Sequence, residues 1–444
     1  LNSNLVLWGQ GPVQLRNMGN KTTKVGSIAL CVLATACSAG AGAEVPQGWP
    51  QWRGLHRDGV SAESELSARW PMAGPEVEWR IPGGGGFSGI AVEGDRLYTM
   101  VSRDQAEYLI CLDAADGGEV WRLKTDGVFL DHQGGNGPRA TPTLAGDKVY
   151  ALGARGKLYA VDADDGEVVW QRDLMKMFGG ELPRWGFCSS PLVEGDLVLV
   201  ETGGSPKTSV LDVFSAVEQE VTIAAFRRDS GEIAWTAGAG KPSYSSPIAV
   251  DFAGRRQLIF FTSPGLTALD PADGAALWSF SWETSYDVNA ATPVFIPPNR
   301  VFISSGYDSG ASVVQVDGAG SNLTAREVWK TRTMKNHFGS SVLQGDFLYG
   351  FDNAILKCID ARAGAEQWKK RGFGKGTLLL AAGDLIILGE QGNLGLVEAS
   401  PKAYREKSTA QILKGRCWTM PSLAGGRLFL RNEAEIVCLN LSIE

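Results

Sequence analysis

Seven short stretches of this 444-residue chain carry side chains able to do chemistry, and each stands just ahead of a similar phrase built on Ser or Thr. They read Pro138-Arg139, Trp185 to Cys188, Ser243-Tyr244, Asp287 with Asn289, Asn336-His337, Lys375, and Cys417-Trp418, with Asp131 a little upstream of Arg139. Brought together, they would supply carboxylates, two cations, amides, an imidazole and the flat faces of indole and phenol rings. Polar and aromatic groups converging in a concavity are the usual composition of a ligand site. Whether they converge depends on the elements that carry them.

Those elements repeat. One phrase runs Asp, three residues, Gly, three residues, Trp, as Asp113–Gly117–Trp121, Asp162–Gly166–Trp170, Asp270–Gly274–Trp278 and Asp360–Gly364–Trp368. Arg227–Gly231–Trp235 keeps the spacing without the acid, and Asp317 to Trp329 keeps the ends with a longer loop. A second phrase lies about 30 residues upstream of each: a small residue, Ser or Thr, Pro, two apolar residues, then Gly-Asp. Its clearest copies are Ala140 to Asp147, Ser189 to Asp196 and Ser340 to Asp346. Looser copies begin at Ser88, Ser245, Ala291, Gly376 and Thr419.

Apolar β-branched runs such as Lys148 to Leu152 and Leu197 to Val200, bounded by Gly-Asp turns, predict strands joined by tight hairpins. Each unit then holds four antiparallel strands in about 46 residues, the size of a propeller blade. The expectation is an all-β, eight-bladed β-propeller. Its last repeat stops at Asn440 without a Gly–Trp strand, whereas Glu76 to Trp79 is such a strand with no blade before it. Pairing the two closes the eighth blade and removes the open edge. The first strand of every blade lines the central channel, so the stretches named above fall on one rim. Blade seven lacks the Trp, its equivalent region offering Tyr404, and residues 202–220 read as a surface excursion from blade three.

The Asp-x3-Gly-x3-Trp blades resemble the PQQ-like propeller repeat of quinoprotein dehydrogenases and of the outer-membrane assembly factor BamB. The resemblance covers residues 76–444. Trp49-Pro-Gln-Trp-Arg-Gly54 with Arg57-Asp-Gly59 further resembles exported PQQ-binding-like repeat proteins. In such folds the repeat Trp packs between neighbouring blades, and the repeated Asp is expected only to cap the turn into Gly. The resemblance implies one of two functions. The first is a binding or scaffold protein of the bacterial envelope, similar to BamB, with envelope proteins or a small channel ligand as partners. The alternative is an alcohol or sugar dehydrogenase using pyrroloquinoline quinone (PQQ) with Ca²⁺ in the channel. There Trp418 or Trp185 would be the stacking platform, Asp287 or Asp131 the base, and Arg139 or Lys375 the partner of the quinone oxygen. Tyr244, Asn289, Asn336 and His337 complete the candidate cofactor-binding set. Against the enzyme stand the absence of a Cys-Cys pair and of a CxxCH haem motif, and the short loops left to roof a cofactor.

Several classes are disfavoured by composition and motif. With Arg16, Lys21 and Lys24 set aside, 39 basic residues face 49 acidic ones without a basic stripe, which argues against nucleic acid and anionic lipid as partners. No Gly-x-Ser-x-Gly elbow is present, and Gly83 to Gly86 lacks the Lys-Ser/Thr of a phosphate loop. The three histidines are scattered, so no dedicated metal site is expected. Glycine, 56 of 444 residues, shows no three-residue period and fits a turn-dense fold.

Read from Met18, two lysines precede an uncharged run from Val25 to Ala36, the layout of a secretory leader too short to span a bilayer. Two exits compete: a lipobox-like Leu33 to Cys37, which would place a lipid anchor on Cys37, and a signal-peptidase site over Ala41 to Ala43. The expected organisation is a leader over 1–43, an extension over 44–75 and a propeller over 76–444. The mature chain is expected to be a monomer, in the periplasm or as an outer-membrane lipoprotein. Cys111, Cys188, Cys358, Cys417 and Cys438 are expected as small buried side chains, with Cys111, Cys358 and Cys438 too far apart to bridge.

Overall fold

Each Gly-Asp pair turns the chain in a two-residue hairpin. Ala145 pairs with Lys148 and Glu194 with Leu197, with Gly146 and Gly195 between them at φ 63° and 56°. Only a residue without Cβ enters that region freely. In the computed structural model, which describes residues 48–204, 221–320 and 322–443, these hairpins build eight four-stranded antiparallel sheets. Blades one to seven occupy 91–127, 143–173, 192–237, 248–281, 294–331, 342–370 and 377–411. The eighth joins Ser422–Ala424, Arg427–Arg431 and Glu435–Asn440 to the early strand Glu76–Pro82, with Glu76 opposite Asn440 and Trp79 opposite Cys438. The closure expected from the two chain ends is therefore present. The leader, Cys37 and most of the 202–220 excursion (205–220) lie outside the described residues.

The Trp-Gly phrase explains how the blades lock. Trp121 lies over Gly166 of the next blade, where a Cβ would come within 2.7 Å of the indole, and Trp170 lies over Gly231 at 2.6 Å. The indole N–H then donates to a carbonyl one residue past the repeated acid: Trp79 to Ala114, Trp121 to Ala163, Trp170 to Arg228 and Trp329 to Ala361, all at 2.9 Å. The aspartates do cap the turn, Asp113 Oδ1 accepting from the Ala115 N–H at 2.8 Å and Asp162 Oδ1 from that of Asp164 at 2.9 Å.

Two blades depart, each for a visible reason. Blade five continues its outer hairpin to Ala319 and Asn322, so the acceptor carbonyl is missing, and Trp278 donates instead to Gln257 Oε1 within its own blade at 2.7 Å. In blade seven the register puts Ser408 opposite Leu396, the place where Trp121 faces Cys111 and Trp170 faces Ala160. Tyr404 lies before the strand and packs edge-on to Trp368 instead. The indole near Ser408 comes from the N-terminal extension: Trp70 is buried in the same core as Leu396, Ala410 and Ile412, and its backbone N–H donates to Ser408 Oγ at 2.8 Å.

The Ser/Thr of the second phrase joins the inner strands into a ring. Thr141 Oγ1 accepts from the Gly89 N–H at 3.1 Å, Ser190 Oγ from Thr141 and Ser246 Oγ from Ser190, both at 2.9 Å. Ser340 Oγ accepts likewise from Thr292 at 2.9 Å. A short hydroxyl satisfies a buried backbone donor that no ladder reaches. All five cysteines among the described residues are free, four of them buried.

Candidate functional site

The extension gives the channel an end. Gly48 to Val60 crosses between blades, tied by Trp49 to Val92 of blade one, by Pro50 to Leu144 of blade two, and by Ser61 to Leu380 of blade seven. Two arginines fix it inside. Arg57 is 2% exposed and donates to the carbonyls of Pro191 at 2.8 Å and Ser190 at 2.9 Å. Arg53, 1% exposed, donates to the carbonyls of Ser341 and Asp58, both at 2.6 Å. Neither guanidinium has a carboxylate among these partners, and burial lowers the pKa of Arg57 to about 9 and that of Arg53 to about 10. Beside them Trp52 donates its indole N–H to Thr292 Oγ1 at 2.8 Å.

Above this segment a cavity of about 450 Å³ opens, with Trp52 among the residues that line it. Every blade contributes through the loop ahead of its inner strand. Phe87, Arg139, Trp185 and Tyr244 come from the first four; Val288, His337, Lys375 and Trp418 come from the last four. Gln133, Cys188, Ser246, Tyr307 and Phe338 complete most of the wall. Six of the eight candidate cofactor-binding residues thus meet in one cavity: Arg139, Trp185, Tyr244, His337, Lys375 and Trp418.

Asn289 and Asn336 do not. Asn289 is fully buried, its amide donating to the Thr262 carbonyl at 2.8 Å and accepting from Ser305 Oγ at 2.6 Å. Asn336 does the same for the Phe351 carbonyl and Ser341 Oγ, both at 2.9 Å. Each amide serves the backbone behind the wall. The two candidate bases are also outside the lining. Asp131 accepts from the Gln133 and Gly134 N–H groups at 3.0 and 2.9 Å and from Arg139 at 3.3 Å, so it shapes the rim loop. Asp287 accepts from Ser263 Oγ at 2.7 Å and sits 3.5 Å from Lys241 Nζ, half-exposed on the rim.

The electrostatics follow from these placements. Among the described residues, no carboxylate lines the cavity. Burial, reinforced by the Lys375 ammonium, lowers the His337 pKa to about 4, so the imidazole is neutral at pH 7. Burial pushes the Cys188 thiol up to about 12 and raises the Tyr244 phenol, leaving both protonated. The nearest acid to the platform is Glu390, which accepts from the Trp418 indole N–H at 3.1 Å and the Lys375 backbone N–H at 3.1 Å. It holds Trp418 in place from behind. Arg416 covers the Trp418 ring with its guanidinium 4.7 Å from the centroid, and Arg184 covers Trp185 at 5.2 Å.

The residues that the sequence reading missed are the floor and the clamps. Trp52, Arg53 and Arg57 have no repeat partner to reveal them. Their one signal is the cluster of tryptophan and arginine in an extension outside the blades. Arg431, fully buried, donates to the carbonyls of Gly84 at 2.9 Å and Gly86 at 3.3 Å and so holds the glycine run that presents Phe87.

Comparison with known proteins places this chain in a family. A family model described as outer membrane protein assembly factor BamB matches residues 46–176 and 108–370. The outer membrane protein assembly factor BamB of Shewanella oneidensis is 32% identical over 146 residues, 31% of this chain and 35% of that one. The same factor of Yersinia pestis is 27% identical over 144 residues, 32% of either chain. The matched stretch therefore spans about a third of the length of these curated relatives. Among solved structures, the quinohemoprotein alcohol dehydrogenase of Comamonas testosteroni superposes with a TM-score of 0.51 at 12% identity, covering 90% of this chain and 81% of that one, a likeness of fold alone. With the family match running through most of the blades, the chain belongs to the BamB family of outer membrane protein assembly factors.

Proposed function

We propose that this protein is an exported binding and scaffold module of the bacterial envelope that serves outer membrane protein assembly, the role its relatives are named for. In this reading the leader segment 1–43 is processed at the first of its two competing exits, before Cys37, so a lipid on Cys37 anchors the mature chain, and the extension from 44 to 75 serves the propeller that follows. One observation carries the binding role: the cavity is walled by aromatic rings and cations, with no carboxylate among the described lining residues. Rings and cations hold a ligand, whereas proton abstraction needs a base within hydrogen-bond reach.

The second reading, a quinoprotein-type dehydrogenase, is favoured by the meeting of Trp418, Lys375 and Arg139 at one cavity. Those residues suit a flat anionic ring. They do not suit the quinone–calcium pair as a catalytic unit. Asp131 and Asp287 are engaged elsewhere, and among the described residues no three His, Cys, Asp or Glu side chains converge to hold an ion.

The test is photo-crosslinking in cells. A crosslinking amino acid at Leu182, on the rim, is expected to capture outer-membrane protein chains, and one at Asp196, on the opposite face, is not. Equal yields from both positions contradict the reading. Cys37→Ser is expected to move the protein from the membrane to the soluble fraction, and an unchanged distribution contradicts the anchor.

A further inference from the structure

The binding reading leaves the ligand class open, and the arrangement of rings narrows it. Six rings form an unbroken stripe from the rim into the cavity. Tyr286 meets Tyr307 at 5.7 Å, Tyr307 meets His337 at 5.2 Å, and His337 meets Phe338 at 5.7 Å. Phe338 meets Trp418 at 5.0 Å, and Trp418 meets Phe87 at 5.5 Å. The stripe crosses from the blade-four side of the mouth to blade one, and its rings come from five connections, those holding Tyr286, Tyr307, His337 with Phe338, Trp418 and Phe87.

Its outer end is held in water. Tyr286 is 72% exposed and has φ 70°, followed by Asp287 at φ 58°. Two consecutive non-glycine residues in the left-handed region persist only where the surroundings enforce them, and such places cluster at binding sites. Here Ser243 Oγ donates to the Asp287 carbonyl at 2.9 Å while Ser263 Oγ holds its carboxylate. The turn is pinned from both sides, and the phenol is fixed outward. On another side of the mouth Leu130 is 64% exposed, next to the loop that supplies Gln133 to the cavity. One small ring would fill part of the cavity and leave these apolar groups uncovered. A longer chain covers them.

The charges select among chains. Arg416 and Arg184 lie over the two wall tryptophans, Lys375 lines the cavity with no acid among the described lining residues, and the acids beside the outer rings, Asp287 and Asp308, are paired with Lys241 and Lys335. We propose that the stripe from Tyr286 to Phe87 is the docking groove for an extended, acidic polypeptide segment bearing aromatic side chains. Its rings pack into the cavity, and its carboxylates pair with Lys375, Arg184 and Arg416. The proposal rests on the binding reading and specifies what that site takes.

The experiment is calorimetric titration of the mature protein with three probes. They are a capped ten-residue peptide alternating Glu and Phe, the same peptide with Lys for Glu, and indole-3-acetate as a free aromatic carboxylate. The Glu peptide is expected to bind saturably and at least tenfold more tightly than the Lys peptide. Lys375→Glu is expected to weaken the Glu peptide about tenfold, the scale of one like-charge juxtaposition at an interface. Tyr286→Ala, an exposed change checked by an unaltered thermal melt, is expected to weaken the peptide about threefold and leave indole-3-acetate unchanged. Equal binding of the two peptides overturns the proposal, as does no peptide binding. A tight indole-3-acetate complex with Tyr286→Ala silent toward the peptide overturns it in favour of a small-molecule cavity. Failure with the peptides in a protein that still crosslinks through Leu182 removes this inference alone. Loss of the Leu182 crosslinks removes the reading beneath it.

Discussion

The Trp52 indole N–H rests 2.8 Å from Thr292 Oγ1, two groups 240 residues apart in sequence that meet at the floor of the cavity. The bond fixes the orientation of a ring supplied from outside the blades. It also makes the site depend on the extension: eight blades alone would leave an open channel. Behind Trp52, Arg57 and Arg53 bind wall carbonyls on blades three and six, so the floor is fastened on two sides.

Removing one fastening should therefore be costly. Arg57→Ala leaves the Ser190 carbonyl without its donor, leaves the Pro191 carbonyl with the Thr143 hydroxyl alone, and opens a void at a site 2% exposed. The expected loss is about 3 kcal/mol, in the range for a broken buried polar cluster. Chemical denaturation followed by intrinsic fluorescence measures it. A loss under about 0.5 kcal/mol would mean that the extension only rests in the channel.

The tryptophans divide into two kinds. Trp170 is 6% exposed, lies on Gly231 and bonds the Arg228 carbonyl. Trp170→Ala should cost about 3–5 kcal/mol, the range for large aromatic truncations in a core. Trp185 stands at the cavity wall, so Trp185→Ala should cost less than half as much while impairing ligand binding. Equal shifts in the denaturation midpoint would show that the cavity aromatics are packing residues.

Blade seven offers a separate check. Trp70 fills in where Ser408 replaces the repeat tryptophan, and its ring lies in the core shared with blade eight. Trp70→Ala should thus destabilise by about 3 kcal/mol, like a repeat tryptophan and unlike a tail residue. Thermal melts of Trp70→Ala beside Trp368→Ala make the comparison. A Trp70 variant as stable as the parent would detach that part of the extension from the fold.

Glu201 sets a pH dependence. It is 1% exposed, accepts among the described residues only the Ser243 N–H at 2.9 Å, and burial pushes its pKa up to about 8. The folded state therefore holds a proton that the unfolded chain releases near pH 4.5. Its contribution is complete below that value and declines as pH rises toward about 8, where the folded carboxyl ionises. Glu201→Gln keeps the acceptor and removes the charge. It should be more stable than the parent at pH 9 by about 2–4 kcal/mol, at ~1.4 kcal/mol per pKa unit, and nearly equal to it at pH 4. Parallel stability curves for the two proteins from pH 4 to 9 would contradict this.

What could be read from sequence was whatever repeats. Gly166 and Trp121 are legible because a ring stacked on a bare Cα requires those two residue types at a fixed spacing, blade after blade. The closing strand was legible as a remainder, Trp79 lacking a blade and Asn440 lacking a strand. Convergence of Arg139, Trp185, Lys375 and Trp418 followed once every inner strand was known to face one channel. Side-chain direction did not follow. Asn289 and Asn336 occupy rim positions in sequence yet turn inward, because free backbone carbonyls at Thr262 and Phe351 need donors. Trp278 could not be told from its equivalents, since the missing acceptor belongs to the hairpin of the next blade. The floor was the least legible part. Arg53 and Arg57 are charged residues outside the blades, and only the fold reveals that wall carbonyls await them.

The central proposal is that this cavity serves to bind a ligand. The most direct measurement is a titration of the purified mature protein with PQQ and Ca²⁺, read by dye-linked turnover of alcohols and sugars, with Trp418→Ala and Lys375→Ala alongside. With no carboxylate among the described lining residues, no turnover above the protein-free blank is expected at any PQQ concentration. Saturable turnover that disappears in both variants would contradict the account and make the cavity a quinoprotein active site.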